Sequence, residues 1–501
     1  MIVTGTRVYR LGEFHAFSAG DRRFVYLVPA GAIFELDAAA QGLIDTLGGG
    51  EASHEQLAAE LTAQGFSASD VEELIVELYQ SRVIVAGDPT VGAVIDGAYS
   101  SDEAPADFPL QTLVLNLTNQ CNLSCQYCYE FGADKVATPT GKPKFMDFDT
   151  AKASVDFLLD QSSIEASPYR AHASRGRRGV HITFFGGETL MNFSLLEKVV
   201  IYARDRAREQ GRSIDFSLTT NATLLTPAII EFLSENHIGV TVSMDGPADL
   251  HDKLRVFANG RGSYDVIEPR VRALIQNHRT RPITARVTLT SGVTDVIRIF
   301  RHLKNDLGFH EVGFAPVTTS PNRLYAINDR GMDHVLEQFH VLADEYLEYA
   351  LRGEMHGFSN VSDTLSELYQ GVNKSHPCGA ALGLVGVGPS GDIAPCHRFV
   401  DSDTHALGHI STGIDREKQK DFLRRGHINS KYDCHTCFAR PLCAGGCHHE
   451  AYVRYGDTGH PNLHFCDWIR DWTDTCLRIY GAISVHNPEF LRLFAERKAL
   501  S

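Results

Sequence analysis

Apolar runs alternate with helical patterns between residues 110 and 320. The apolar runs predict six strands, at Leu113 to Leu117, Val180 to Phe185, Ile214 to Thr219, Val240 to Met244, Ala285 to Thr290 and Glu311 to Ala315. Helices are predicted between them, among them Phe148 to Leu159, Leu195 to Glu209 and Pro227 to Asn236. Repeated strand–helix units indicate an α/β fold whose parallel sheet curls into a partial barrel. In that architecture functional residues lie at the carboxyl ends of the strands.

Residues 1–86 carry a different order of patterns. Two strands, Phe14 to Phe17 and Arg23 to Val28, are predicted around the turn Ala19-Gly20-Asp21. Three helices follow, at Asp37 to Leu47, Ser53 to Gln64 and Ser69 to Tyr79, with Ser53 and Ser67 as predicted caps. This order favours a winged-helix-like module with a core of Leu57, Leu61, Leu74, Ile75 and Leu78; an ordinary packing domain is the alternative.

The remaining boundaries follow from composition. Residues 87–107 are rich in Gly, Ala, Pro, Ser and Asp and predict a linker, after which the barrel region spans 108–320. Residues 321–372 predict a helical bridging region, 373–480 are rich in Cys, Gly and His, and 481–501 predict a C-terminal helix.

Composition and charge narrow the function classes. The formal net charge of -15 comes without a basic cluster, so nucleic acid is not an expected partner. No run of about 18 apolar residues predicts a membrane span, and the first ten residues lack the apolar segment of a signal peptide. A cytoplasmic protein is the expectation.

The eleven cysteines are unevenly placed. None lies in the first 120 residues, three fall between Cys121 and Cys128, and eight lie between Cys378 and Cys476. Disulfides are not expected in a reducing compartment, where grouped thiols instead indicate metal binding.

The first group has the spacing Cys121-x3-Cys125-x2-Cys128 and directly follows a predicted strand. Three thiolates at this spacing can hold a [4Fe–4S] cluster and leave one iron without a protein ligand. Zinc would need a fourth ligand, and no His is close by in the sequence.

Three further motifs stand at predicted strand ends: Phe184-Phe185-Gly186-Gly187-Glu188-Thr189, Thr219-Thr220-Asn221 and Ser243-Met244-Asp245-Gly246-Pro247. Paired glycines allow a close backbone approach, and a carboxylate beside them can accept from an ammonium group. Taken singly, each motif is also ordinary turn chemistry. In register with the cysteine loop, they predict a ligand site at one edge of the sheet.

The second group of cysteines contains Cys378, Cys396, the run Cys434-x2-Cys437-x5-Cys443-x3-Cys447, and then Cys466 and Cys476. Eight thiolates are the number that fills two [4Fe–4S] clusters. Two zinc sites are the alternative. His448-His449-Glu450 lacks the spacing of a zinc protease motif.

These motifs resemble the radical S-adenosylmethionine (SAM) superfamily with a SPASM extension, over nearly the whole chain. The resemblance implies a TIM-like partial (β/α)6 barrel and three [4Fe–4S] clusters. It also implies that SAM is bound near Tyr127, Gly186, Gly187, Glu188, Asn221, Ser243, Asp245, Leu289 and Pro316. Tyr127 would pack near the adenine, and the Gly-Gly-Glu segment would bind the SAM amino group.

The same resemblance implies how the later cysteines divide. An outer auxiliary cluster would take Cys434, Cys437, Cys443 and Cys466, and an inner one Cys378, Cys396 and Cys447. Cys476 is the predicted fourth inner ligand, although the common seven-cysteine pattern does not define one. With all eight as ligands no iron is free to hold a substrate thiol, so the auxiliary clusters are predicted to relay electrons.

Residues 1–86 resemble the peptide-recognition element of maturases that act on ribosomally made peptides, which captures a leader peptide as an added strand. The stretches Cys434–Tyr480 and Phe24–Phe34 are most similar to the maturases of quinohemoprotein amine dehydrogenase. That family forms thioethers from Cys sulfur to a side-chain carbon of Asp or Glu in the γ subunit.

The implied partners are a γ-subunit precursor with its leader and an electron donor such as flavodoxin or ferredoxin. Asp245 is one candidate for deprotonating the incoming thiol. The alternatives are a maturase that makes a C–C cross-link, a decarboxylation or an epimerisation, and a non-catalytic zinc-binding adaptor.

Overall fold

The computed structural model describes residues 7–86, 110–138, 140–162 and 179–497. The predicted linker 87–107 lies outside these ranges, as do the last four residues of the predicted C-terminal helix. No helix in the described ranges is long and apolar enough to cross a membrane.

The first 80 described residues form two small sheets and three helices. The strands are β1 (Val8–Leu11), β2 (Phe14–Ala19), β3 (Arg22–Leu27), β4 (Ala32–Leu36), β5 (Ala52–Ser53) and β6 (Ile84–Ala86), which pair in the orders β5-β1-β6 and β2-β3-β4. The helices are α1 (Ala38–Leu47), α2 (His54–Ala63) and α3 (Ala68–Gln80). The hydroxyls of Ser53 and Ser67 accept the backbone N–H of Gln56 and Asp70, so both predicted caps are confirmed.

Strand β3 lies between two hydrophobic cores. Phe24 and Tyr26 point into the main core of the molecule, while Val25 and Leu27 join a smaller core with the three helices. This division follows from the alternation of side chains along a strand. The β2-β3-β4 sheet is therefore shared between the N-terminal helices and the rest of the chain, although the sequence predicted a separate unit over 1–86.

Six parallel strands form the centre of the molecule in chain order. They are β7 (Thr112–Asn116), β8 (Gly179–Phe185), β9 (Ser213–Thr220), β10 (Gly239–Ser243), β11 (Ile283–Leu289) and β12 (Glu311–Pro316). The helices between them are α4 (Phe148–Ser162), α5 (Phe193–Glu209), α6 (Pro227–Glu235), α7 (Ala248–His251), α8 (Tyr264–Asn277) and α9 (Val296–Arg301). The predicted partial barrel is confirmed.

The cysteine-rich region continues this sheet. Strand β13 (Leu384–Val387) pairs in parallel with β7, so that Val385 lies beside Leu113. Strands β14 (Asp392–Ala394), β15 (Gly408–His409) and β16 (Gly413–Ile414) extend the sheet to ten strands by antiparallel pairing. The cysteine-rich region is thus joined to the first barrel strand by backbone hydrogen bonds.

The remaining helices cover the barrel and the cysteine-rich region. They are α10 (Asp329–Leu351), α11 (Ser359–Tyr369), α12 (Arg416–Gly426), α13 (Arg440–Cys443), α14 (His448–Tyr455), α15 (Cys466–His486) and α16 (Pro488–Arg497). Helix α15 packs on α10, α11 and strand β2. At the contact with β2, Nε2 of His15 lies 2.6 Å from Oδ1 of Asp474, and the His15 ring stacks on Phe438.

Candidate active site

Cys121, Cys125 and Cys128 lie on the loop that follows β7, beside a cavity of about 420 Å³. Burial raises the pKa of the Cys121 thiol to about 12, and the charges of Cys125 and Cys128 add to the rise. Thiol ligands must lose their protons when they bind metal. A positively charged iron–sulfur core would compensate the negative charge of the three buried thiolates. The three residues therefore fit a cluster held on three corners.

No group of three or more His, Cys, Asp or Glu side chains converges as the ligands of one metal ion would, within the parts of the chain that the structure describes. The cysteines of a [4Fe–4S] cluster each bind a different iron, so they surround a body of atoms rather than meet at one point.

The two glycines after β8 bring that strand end against the residues that precede the cysteine loop. The N–H of Gly187 donates to the carbonyl of Thr118 at 3.1 Å, and the N–H of Glu188 donates to that of Gln120 at 2.9 Å. A Cβ at Gly187 would lie 2.3 Å from the Gln120 carbonyl oxygen, and one at Gly186 equally close to that of Thr118. The close approach that the sequence predicted is made by protein backbone and fixes the start of the cysteine loop.

Glu188 is 1% exposed, and its carboxylate accepts three hydrogen bonds. Oε1 accepts from the Thr220 hydroxyl at 2.6 Å and from Leu190 N–H at 3.1 Å, and Oε2 accepts from Asn221 N–H at 2.7 Å. Burial raises the pKa of this carboxyl, and the three donors oppose the rise. In this arrangement Glu188 ties the end of β8 to the end of β9, and the contact of the Gly-Gly-Glu segment with the SAM amino group stays a prediction.

Asn221 contacts the cysteine loop. Its Nδ2 donates to Oδ1 of Asn122 at 3.1 Å and lies 3.7 Å from Sγ of Cys121. Its Oδ1 accepts from the backbone N–H and the hydroxyl of Thr223. The structure therefore brings this predicted residue to the cluster site, where it orients the first cysteine.

Asp245 and Arg255 form a buried ion pair behind the cysteine loop. Their side chains are 2% and 9% exposed, and Nε of Arg255 donates to Oδ2 of Asp245 at 2.7 Å. The Tyr127 hydroxyl donates to the same oxygen at 2.5 Å, and the N–H of Thr288 donates to Oδ1 at 2.9 Å. The Arg255 guanidinium also lies over the Tyr127 ring, 5.3 Å from its centre.

This network changes the role predicted for Asp245. Both carboxylate oxygens already accept protein donors, and a guanidinium neutralises the charge, so a general-base role has no support in the geometry. Asp245 instead holds Tyr127, which stands between two of the loop cysteines in sequence, and Arg255, whose charge lowers the pKa of Cys125 against the rise from burial. Sequence reasoning missed Arg255, since only the fold brings it to Asp245.

The other predicted SAM-binding residues stand at strand ends. Ser243 ends β10, Leu289 ends β11 and Pro316 ends β12, and Leu289 and Pro316 are partners in the parallel register. Leu289 is fully buried, whereas Ser243 and Pro316 are partly exposed. They lie at the same edge of the sheet as the cysteine loop, and their contact with SAM stays a prediction.

Three of the later cysteines form an inner group. Burial raises the pKa of Cys396 to about 12, and the charges of Cys447 and Cys378 add to it. The ring of Tyr129, next to Cys128, faces the same region, with the Arg398 guanidinium 4.8 Å from its centre. The inner group therefore lies on the side of the cysteine-rich region that meets the cysteine loop after β7.

Four other cysteines form an outer group. Burial raises the pKa of Cys434 to about 11, and the charges of neighbouring thiols add to the rise: Cys443, Cys466 and Cys437. Within each of the two sets that the resemblance implied, one of three thiols and one of four, the charges of the thiols therefore act on one another. Their binding of two clusters stays a prediction.

Cys476 lies apart from both groups. Its side chain is 0% exposed in the main hydrophobic core, on helix α15. Burial raises the pKa of its thiol, and the nearby Thr364 side chain opposes the rise. The prediction that Cys476 completes the inner cluster has no support here. The prediction that the auxiliary clusters only relay electrons assumed eight cysteine ligands, and seven remain.

The barrel region matches a known protein family. Residues 115–303 match the family model of the radical SAM superfamily. An uncharacterized protein of Methanocaldococcus jannaschii is 36% identical over 154 residues, which cover 31% of this chain and 45% of that protein. The chain thus spans less than half the length of that relative.

A longer match extends beyond the barrel. The serine-type anaerobic sulfatase-maturating enzyme of Bacteroides thetaiotaomicron is 25% identical over 386 residues, which cover 72% of this chain and 88% of that enzyme. The solved structure of anSMEcpe with bound AdoMet has the same fold, with a TM-score of 0.62 and 21% identity over 76% of this chain and 100% of that one. Residues 115–303 therefore belong to the radical SAM superfamily, and over most of its length the chain is similar to an enzyme that matures a sulfatase.

Proposed function

We propose that this enzyme installs thioether cross-links, from Cys sulfur to a side-chain carbon of Asp or Glu, in the γ subunit of quinohemoprotein amine dehydrogenase. Its relation to maturases supports a peptide or protein substrate. The choice of bond and substrate rests on the similarity of Cys434–Tyr480 and Phe24–Phe34 to the maturases of that dehydrogenase.

The observation that carries the proposal is the placement of two cysteine groups at the carboxyl end of the barrel strands. The loop of Cys121, Cys125 and Cys128 stands at the carboxyl end of β7, and the inner group faces it across Tyr129 and Arg398. Joining sulfur to carbon is an oxidation, so electrons must leave the substrate. The later cysteines would hold the clusters that accept these electrons. A flavodoxin or ferredoxin would supply the electron that starts each turnover.

The chain's own residues prepare the site. The backbone contacts of Gly186 and Gly187 and the side chain of Asn221 fix the cysteine loop, while Asp245 and Arg255 hold Tyr127 behind it. When bound, SAM and the cluster beside it supply a 5′-deoxyadenosyl radical able to remove hydrogen from an unactivated C–H bond.

Strand β4 is the proposed contact for a leader peptide. It is an outer strand of the β2-β3-β4 sheet, and Phe34 on it is 40% exposed. An outer strand offers unpaired N–H and C=O groups on which an extended peptide can add as a further strand. Because the opposite end of the sheet packs on helix α15, a bound leader would be held rigidly relative to the cysteine-rich region.

Replacing Phe34 by Asp tests this contact. We expect the KM for a leader-containing substrate to rise at least about tenfold, because a desolvated charge opposes strand addition, whereas uncoupled SAM cleavage is unchanged. Steady-state kinetics with and without the leader measure the effect. Deleting residues 1–86 is a poorer test, since Phe24 and Tyr26 belong to the main core. An unchanged KM in Phe34→Asp would refute the contact.

Coexpression with a γ-subunit precursor tests the proposed bond. Each thioether consumes one thiol and one C–H hydrogen, so we expect the product mass to fall and the count of free thiols to drop in step. Intact mass spectrometry with thiol labelling measures both. A mass change with every thiol still free would instead indicate C–C cross-linking or decarboxylation, and an unchanged mass with altered stereochemistry would indicate epimerisation.

Maturation of a sulfatase is the second candidate, favoured by the match to the enzyme of Bacteroides thetaiotaomicron over 88% of its length. The solved relative covers 76% of this chain, so about a quarter of the chain has no counterpart there. A sulfatase peptide offered in competition with the γ-subunit precursor separates the two candidates.

A further inference from the structure

Lys431 is a buried lysine at the start of the outer cysteine group. The residue is 2% exposed, and its carbonyl accepts the backbone N–H of Cys434 at 2.9 Å. Its ammonium donates to the carbonyl of Ala444 at 2.9 Å. Ala444 follows an outer cysteine, Cys443, and precedes an inner one, Cys447, by three residues, so the ammonium lies at the chain segment that connects the two groups.

The backbone around this ammonium leaves room for it. Gly445 has a φ of +84°, and a Cβ there would lie 2.5 Å from Cδ and 2.7 Å from Nζ of Lys431. Ala444 also adopts a left-handed conformation, with a φ of 45°. The turn between Cys443 and Cys447 is thus shaped around the lysine side chain, and glycine is required where the side chain passes.

The charges around Lys431 come from both cysteine groups. Burial lowers the pKa of its ammonium, and four thiols oppose that effect: Cys434, Cys443, Cys378 and Cys447. Two of these belong to the outer group and two to the inner group. Within the described residues no carboxylate lies within ion-pair distance of Nζ. A buried ammonium needs a compensating negative charge, and sulfur ligands are the source that the structure offers.

We propose that the Lys431 ammonium is a counter-ion shared by the two auxiliary clusters, which makes both of them easier to reduce. This inference rests on the auxiliary clusters of the proposed function. A cluster that accepts an electron becomes more negative, so a fixed cation beside it stabilises the reduced form. Because the same cation lies beside both groups of cysteines, its loss should lower the reduction potential of both clusters.

Neutral replacements of Lys431 test the counter-ion. Lys431→Met removes the charge, Lys431→Gln removes the charge and keeps a donor for the Ala444 carbonyl, and Lys431→Arg keeps the charge. Full-length anaerobic protein is analysed for iron and sulfide and then titrated electrochemically, with the cluster signals that SAM does not alter followed by EPR. Lys420→Met is the control, because Lys420 lies on the surface of α12, paired with Glu417.

The auxiliary clusters should become harder to reduce in both neutral variants. At the wild-type midpoint potential, the ratio of oxidised to reduced cluster should rise at least tenfold, which for one electron is a shift of about 59 mV. Lys431→Arg and Lys420→Met should stay near wild type. Loss of the auxiliary iron from both neutral variants, with retention in Lys431→Arg, would also support the counter-ion.

Three results would overturn the proposal: full iron with wild-type potentials in Lys431→Gln, equal shifts in Lys420→Met, or loss of iron from all three Lys431 variants. Wild-type protein without auxiliary iron would overturn it together with the auxiliary clusters. Wild-type protein with auxiliary iron and shifted potentials in the neutral variants, but no thioether in the γ subunit, would reject only the proposed function.

Discussion

Replacing Cys121 by Ala is expected to abolish 5′-deoxyadenosine formation. Cys121 is the first cysteine of the loop after β7, and Leu123 N–H and Asn221 Nδ2 both contact its sulfur. Two remaining thiols cannot hold a cluster on three corners, so no iron would stay available to bind SAM. The assay is chromatography of the anaerobic reaction mixture with reductant and SAM, together with iron analysis.

Iron counting sharpens this result. Three clusters correspond to about twelve irons, and Cys121→Ala should lose about four of them while the auxiliary iron remains. Cys476→Ser is the matched control, because that thiol lies in the hydrophobic core, apart from both groups of later cysteines. It should retain the wild-type iron content. Deoxyadenosine formation by Cys121→Ala would reject the assignment of the loop, and iron loss from Cys476→Ser would restore that residue as a ligand.

Replacing Arg255 by Met is expected to have the largest effect on stability. The change leaves the Asp245 carboxylate buried without its cation, and breaking such a pair costs about 3–5 kcal/mol. Tyr127 would lose the guanidinium that lies over its ring. The Asp245 carboxylate that accepts its hydroxyl would also no longer be held in place. We expect a melting temperature several degrees lower and weaker SAM binding, measured by thermal scanning and by equilibrium binding.

A double variant separates charge from shape. Arg255→Met combined with Asp245→Asn removes both charges, so it should recover part of the stability that Arg255→Met loses. The surface pair of Arg298 and Asp249, about half exposed, is the control, and its Arg298→Met variant should change stability by less than about 1 kcal/mol. Equal destabilisation by Arg255→Met and Arg298→Met would contradict the role of burial.

The central fold was predictable because its signals are local. Each of the six barrel strands is an apolar run, and the observed bounds differ from the predicted ones by two residues at most. The short strands β1, β5 and β6 were not predicted, since two to four residues carry too little periodicity to detect. Strand β4 was missed as well, because three of its neighbours along the chain are glycine, alanine and proline.

The site was predictable in position but less so in role. The motifs at the strand ends come together, yet Glu188 and Asp245 have protein partners that sequence spacing cannot reveal. The position of Cys476 in the core was also predictable, although the count of eight later cysteines suggested that it is a cluster ligand. Trp468, Trp472, Ile479 and Ile483 are buried on the same helix, and Cys476 falls in register with them at helical spacing. Helical periodicity would have assigned it to the core.

The pairing of β13 with β7 has a consequence for the speed of electron transfer. Cys378 and Cys396 flank β13 in the sequence, and Cys121 follows β7 within five residues of its end. Because Cys396 follows β14, the antiparallel partner of β13, neighbouring strands of one continuous sheet lead to two inner cysteines and to the first loop cysteine. Tunnelling rates fall steeply as the separation between donor and acceptor grows. A separation set by the hydrogen bonds between paired strands varies little during turnover, so each electron transfer between these centres would occur over nearly the same distance.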